Sequence, residues 1–225
     1  MQLPAESSQY TALVRWGRYL SRRLRTARLA SLASECDAIT NRLRDDGRAS
    51  EDAEGPVQEA TADRDAADDG LSDVAQESRH ALAARSLDAV RKAPYTQVFP
   101  DGVAYYLDAS FEAKVARFGE LRARFEAHLP EGDELRAQVT PRIQAAVKAY
   151  KTADAALATA RTHESIISTR VDATTTEWRL GMERIYGALI QQSGKVAAER
   201  YFPHARSAKG ASRKKSPAKP VVPVA

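Results

Sequence analysis

Glu77 and His80 stand three residues apart, a spacing that puts both side chains on one face of a helix, as in di-iron bundles where a carboxylate and an imidazole converge on a metal. Such a site needs a second motif of the same kind and further carboxylates. None of His128, His163 and His204 has a glutamate three positions before it, and His163-Glu164 lacks the second histidine of a zinc-protease helix. A solvated polar face is the simpler reading of Glu77 and His80. Gly194-Lys195 has no glycine-rich turn ahead of it to cradle a phosphate, and no Gly-x-Ser-x-Gly occurs. Cys36 is the only cysteine; it falls on an apolar helical position and reads as a buried, inert thiol rather than a nucleophile. Trp16, Trp178, Met182 and Tyr186 would suit an aromatic cage, but at helical spacing they read as core. No catalytic, cofactor-binding or metal-binding residue is assigned on this basis, and no enzyme is expected.

The other chemistry available to the chain is electrostatic. Of its 34 basic residues, six lie after Pro203 (Arg206, Lys209, Arg213, Lys214, Lys215 and Lys219), and none of its 30 acidic residues does. The body before them is nearly neutral, with 28 bases against 30 acids, so the basic balance of the whole chain belongs to its last residues. Those six are the candidate nucleic-acid contacts. Arg213-Lys214-Lys215 followed by Ser216-Pro217-Ala218-Lys219 resembles, in composition, the Lys/Ala/Ser/Pro-rich arms of linker histones. The resemblance covers the C-terminal segment alone and implies weak, sequence-blind, salt-sensitive phosphate contact. Residues from Pro203 on hold almost no large apolar side chain before the final valines. They cannot bury enough surface to offset ordering entropy, and disorder is expected.

The elements that must position these groups read as helices throughout. Apolar residues make up 43% of the chain but aromatics only 7%, and alanine dominates, which favours helix over sheet. Leu13, Trp16, Leu20 and Leu24 open a stripe that Leu29, Leu32, Cys36, Ile39 and Leu43 continue, predicting a first helix over 6–45. Residues 10–34 are arginine-rich and acid-free, as a mitochondrial transit peptide is, but the unbroken apolar stripe argues for a mature core helix. Asp45-Asp46-Gly47 and Glu54-Gly55-Pro56 are turn signals, placing a chain reversal at 46–50. A second helix follows as far as Pro94. That hairpin would set Arg22 against Asp73, Arg18 against Glu77 and Arg28 near Asp68, so that the stripe Arg15, Arg18, Arg22, Arg25 is spent on the acidic stretch 45–77.

Two prolines and a Pro-Asp-Gly turn between Pro94 and Gly102 predict an ordered crossover with its aromatics on a helix end. Leu107, Phe111, Phe118, Leu121, Phe125 and Leu129 mark a third, short helix; Asp133 caps a fourth, in which Pro141 should introduce a kink. From Ala146 to Val196 near-heptad spacing would give one helix of unmatched length, so a break is expected between His163 and Thr176, where β-branched residues and serine gather.

The sequence therefore predicts an all-α, elongated antiparallel bundle of four to five helices with coiled-coil-like packing and a disordered basic tail. Its parts are an N-terminal helical hairpin over 1–93, a crossover over 94–106, a C-terminal helical unit over 107–202 packed on the first, and the tail over 203–225. No run of apolar residues is long enough to span a bilayer and the start of the chain does not read as a secretory signal, so a cytoplasmic location is expected. The leading function is a non-enzymatic structural or protein-interaction bundle that self-associates or holds an unidentified protein partner. The alternative is an accessory protein tethered to DNA or RNA by the tail. A metal-binding bundle enzyme ranks last.

Overall fold

The computed structural model describes residues 1 and 3–203; the candidate contacts Arg206, Lys209, Arg213, Lys214, Lys215 and Lys219, and the expected disorder of the tail, lie outside the described residues. The fold is all-α and bundle-like, with no strand among the described residues. Four helices are long: α1 (Tyr10–Thr26), α2 (Ala30–Ala83), α5 (Phe111–His128) and α6 (Glu134–Ser193). Three are short: α3 (Tyr95–Val98) and α4 (Ala104–Leu107), between α2 and α5, and α7 (Lys195–Glu199) at the end.

The first reversal falls at 27–29, not at 46–50. Arg28 takes a left-handed backbone (φ 61°), Arg28 N–H donates to the Arg25 carbonyl and Leu29 N–H to the Leu24 carbonyl. This is the two-bond Schellman close of a helix, with Leu29 beside Leu24 in the core as its apolar partner. A glycine normally marks that position; an arginine there hides the turn from a reader of the sequence. The turn-forming residues at 45–56 lie inside α2, and two of them, Asp46 and Gly47, serve tertiary contacts instead. Gly47 faces the Tyr10 ring so closely that an added Cβ would lie 2.3 Å from Tyr10 Cδ2, and Asp46 accepts a 2.6 Å hydrogen bond from the Thr174 hydroxyl. Pro56 is exposed, so the backbone bond it forfeits is lost on the solvent side.

The break expected between His163 and Thr176 is likewise absent, and α6 runs unbroken for 60 residues. Its threonines stay within the helix by donating to carbonyls four residues back: Thr159 to Ala155, Thr162 to Ala158, Thr169 to Ser165 and Thr176 to Asp172. The length match that was missing is supplied by α2, itself 54 residues long. The break in α6 was expected partly because a reversal at 46–50 would have left no helix of matching length.

Contacts group the chain into two units. A terminal unit comprises Met1–Gly47 with the residues from Val171 on, and a central unit comprises Arg48–Arg170. In the terminal unit, α1, the start of α2 and the end of α6 enclose Leu13, Leu20, Leu24, Cys36, Leu43, Trp178, Met182, Ile185 and Leu189. In the central unit, Leu71, Leu82, Phe99, Tyr106, Phe118, Leu121, Phe125, Ile143 and Tyr150 form a separate core around α5. Asp133 caps α6 there, accepting from the backbone N–H groups of Leu135 (2.9 Å) and Arg136 (3.2 Å).

Candidate anion-binding surface

The buried side of α1 is Leu13, Val14, Gly17, Leu20, Ser21 and Leu24. At 100° per residue the opposite side carries Arg15, Arg18, Arg22 and Arg25, all exposed and within one narrow stripe. α1 can be pressed this closely to α2 because residue 17 is glycine. A Cβ there would lie 2.3 Å from Thr40 Oγ1, and the Gly17 carbonyl accepts from the Cys36 thiol at 3.3 Å. Thr40 in turn accepts from Trp178 Nε1 at 3.2 Å. The inner face of α1 is thus fixed by packing and by a short buried polar chain, while of its outer stripe only Arg25 is tied to a neighbouring helix, through Asp37.

Two of the three expected partners of that outer face are engaged elsewhere. Asp68 pairs with Lys114 and Glu77 with Arg142, both within the central unit, and among the described residues neither Arg18 nor Arg22 has an ion pair from its side chain. The reason is the early turn: α1 folds back on the segment after Ala30, whose acids are few and committed. Glu35 binds Arg184, Asp37 binds Arg25, Asp45 binds Arg44 and Asp46 takes the Thr174 hydroxyl. Arg15, Arg18, Arg22 and Arg28 are left exposed without an ion-pair partner among the described residues, in a stretch (7–34) that contains no Asp or Glu. The acid-free run was visible in the sequence; its lack of partners was not, because the register was set by the wrong turn.

A second basic segment starts at the same helix. Phe202 is buried with its ring 5.3 Å from that of Trp16 on α1 and 5.3 Å from that of Tyr186. Arg23 of α1 donates to the Arg200 carbonyl at 3.1 Å. The chain therefore leaves the described residues at Pro203, held against α1, with its six remaining cations still to come. Over the described residues the terminal unit carries 12 bases and 9 acids, whereas the central unit carries 16 and 21. The near-neutral body is in fact polarised.

The sequence candidates for other chemistry stay apart. His80 is exposed, and among the described residues no three of His, Cys, Asp and Glu are grouped to hold a metal ion. Cys36 is fully buried, and desolvation pushes its thiol up to about 12, so that it stays protonated at neutral pH. Trp178 and Met182 are wholly buried core, and Trp16 meets Trp178 edge-on at 5.5 Å. Within the central unit a shallow groove runs between α2 and α6, lined by Pro56, Ala60, Ala156 and Ala160 with Glu59, Asp63 and His163 at its rim. No helix among the described residues is long and apolar enough to cross a membrane.

These features define a bundle-like helical protein with one arginine-faced helix. Comparison with known proteins finds no matching family model, no matching curated protein and no matching solved structure.

Proposed function

We propose that the protein is a non-enzymatic interaction bundle that binds a polyanionic partner through the outer face of α1 together with the basic C-terminal segment. One observation carries this reading: Arg15, Arg18 and Arg22 stand exposed and unpaired on the helix to which the root of that segment is tied through Phe202 and Arg200. An unpaired arginine row adds nothing to stability by itself and raises self-repulsion, so its use lies in what it meets. Titration with a heparin oligosaccharide at low salt tests the reading. The intact chain binds, and Arg15→Gln/Arg18→Gln/Arg22→Gln weakens binding by at least about tenfold, as expected when three ion-release contacts are lost, with an unchanged thermal melt. Equal binding by the two proteins, or none by either, rejects it.

A second reading, a docking face for a protein helix or a second copy, draws on the small-residue groove of the central unit. Sedimentation of Ala156→Arg/Ala160→Arg against the parent tests it: a lighter species supports self-association, and an unchanged monomer removes it.

A further inference from the structure

We infer that the polyanion is nucleic acid, held by its phosphate backbone without regard to sequence, with Arg15, Arg18 and Arg22 as the fixed contacts; this rests on the reading above and names its partner. The outer face of α1 offers a protein partner little to bury, since Tyr19 is its only large apolar side chain and the leucines all point inward. Protein interfaces gain most of their affinity from a desolvated apolar or aromatic centre, which this face lacks. A bilayer partner fails on the same ground. Surface helices enter lipid by their apolar side, and that side of α1 is consumed by Trp178, Met182 and Ile185 of the terminal core.

What remains suits a long, regular array of negative charge. The cations of the row are all guanidiniums, which bind phosphate in two-point fashion. From Arg15 to Arg22 the row rises about 10 Å on a rigid helix, and a duplex presents about six phosphate charges over that distance. No acid between residues 7 and 34 opposes it. The 22 residues from His204 on add six cations and no acid. None of this distinguishes one base from another, so affinity should be independent of sequence.

The test is fluorescence anisotropy with two unrelated duplexes of about 30 base pairs, from about 50 to about 200 mM salt. With three helical and six C-terminal contacts, log K falls against log salt with a slope near about −8, and the two duplexes agree within about twofold. Arg15→Gln/Arg18→Gln/Arg22→Gln makes the slope shallower by about 3 and deletion of 204–225 by about 5, while the triple lysine variant keeps it near the parent value. Polyglutamate and phosphatidylserine vesicles serve as the protein-like and membrane-like arms, and each binds more weakly than duplex at matched charge. A slope unmoved by the glutamine variant, a strong preference between duplexes, or tighter binding to either control overturns the assignment. If heparin binding survives any of these outcomes, only the nucleic-acid partner is lost; if heparin binding fails too, the anion-binding reading falls with it.

Discussion

In the central unit, several of the positive charges are tied into the fold. Lys114, almost wholly buried, is neutralised by Asp68; Arg142 holds Glu77; Arg85 holds the capping Asp133; Arg64 lies 4.2 Å over the Phe111 ring and Arg117 lies 4.4 Å over that of Tyr105. Remaining cations there stand among 21 acids. The terminal unit is built the other way. Its interior is fastened by neutral polar groups, the Trp178 indole on Thr40 and the Cys36 thiol on the Gly17 carbonyl; Arg25 and Arg184 pair with Asp37 and Glu35, but Arg15, Arg18 and Arg22 point outward with no ion pair among the described residues. The same residue type thus plays two parts. Where an arginine has a carboxylate or a ring it fixes helix positions; where it has neither, on α1, the fold would stand without it.

That contrast can be attacked at each level, beginning with the largest effect. Trp178→Ala empties the centre of the terminal core and strands the Thr40 hydroxyl, so denaturant unfolding should report a loss of about 3–5 kcal/mol. Lys114→Met leaves Asp68 without its partner and should cost about 3 kcal/mol, toward the low end for a broken buried pair because Asp68 still reaches water. Adding Asp68→Leu should restore most of it. Gly17→Ala drives a methyl into Thr40 and should cost about 1–3 kcal/mol, less when combined with Thr40→Ala.

Asp133→Ala removes the α6 cap and should cost about 1 kcal/mol at neutral pH. The hydrogen bond from Arg85, aided by the N–H groups of Arg136 and Leu135, holds the Asp133 carboxyl below the usual carboxylate range. Its folded pKa being lower than its unfolded one, the contribution is complete above the unfolded pKa and disappears as pH falls through the folded one. The difference between parent and variant should therefore shrink in acid. Smallest of all, Arg15→Gln/Arg18→Gln/Arg22→Gln should move stability by no more than about 0.5 kcal/mol, since these side chains hold nothing in place.

Helical character was legible from alanine content and the 3.6-residue stripes, and the inward residues Leu13, Leu20, Leu24, Cys36, Phe118, Phe125, Trp178 and Met182 are core as their spacing indicates. The turns were not legible. Gly47 and Asp46 carry the local signature of a reversal, but tertiary contacts with Tyr10 and Thr174 give those residue types a use inside a helix. Arg28 has no such signature and yet closes α1, because the Leu24–Leu29 contact and two backbone bonds compensate a conformation that costs a non-glycine residue about 1 kcal/mol. The charge pattern was read correctly and the pairing was not: a row of arginines and a row of acids imply ion pairs only when the turn between them is right. The surface of α1 became apparent once Asp68 and Glu77 were found committed to Lys114 and Arg142.

The account depends most on where the cations sit rather than how many there are. Lys148, Lys151 and Arg161 in the central unit are exposed like the α1 row and likewise have no ion-pair partner among the described residues, so exchanging them for glutamine removes the same charge from a different place. Duplex binding at low salt should be measured for the parent, for Arg15→Gln/Arg18→Gln/Arg22→Gln and for Lys148→Gln/Lys151→Gln/Arg161→Gln. The account predicts that the first variant loses at least about tenfold in affinity while the second stays within about twofold of the parent. Equal losses in the two variants would mean that net charge alone sets binding, and would contradict the assignment of α1 as the contact surface.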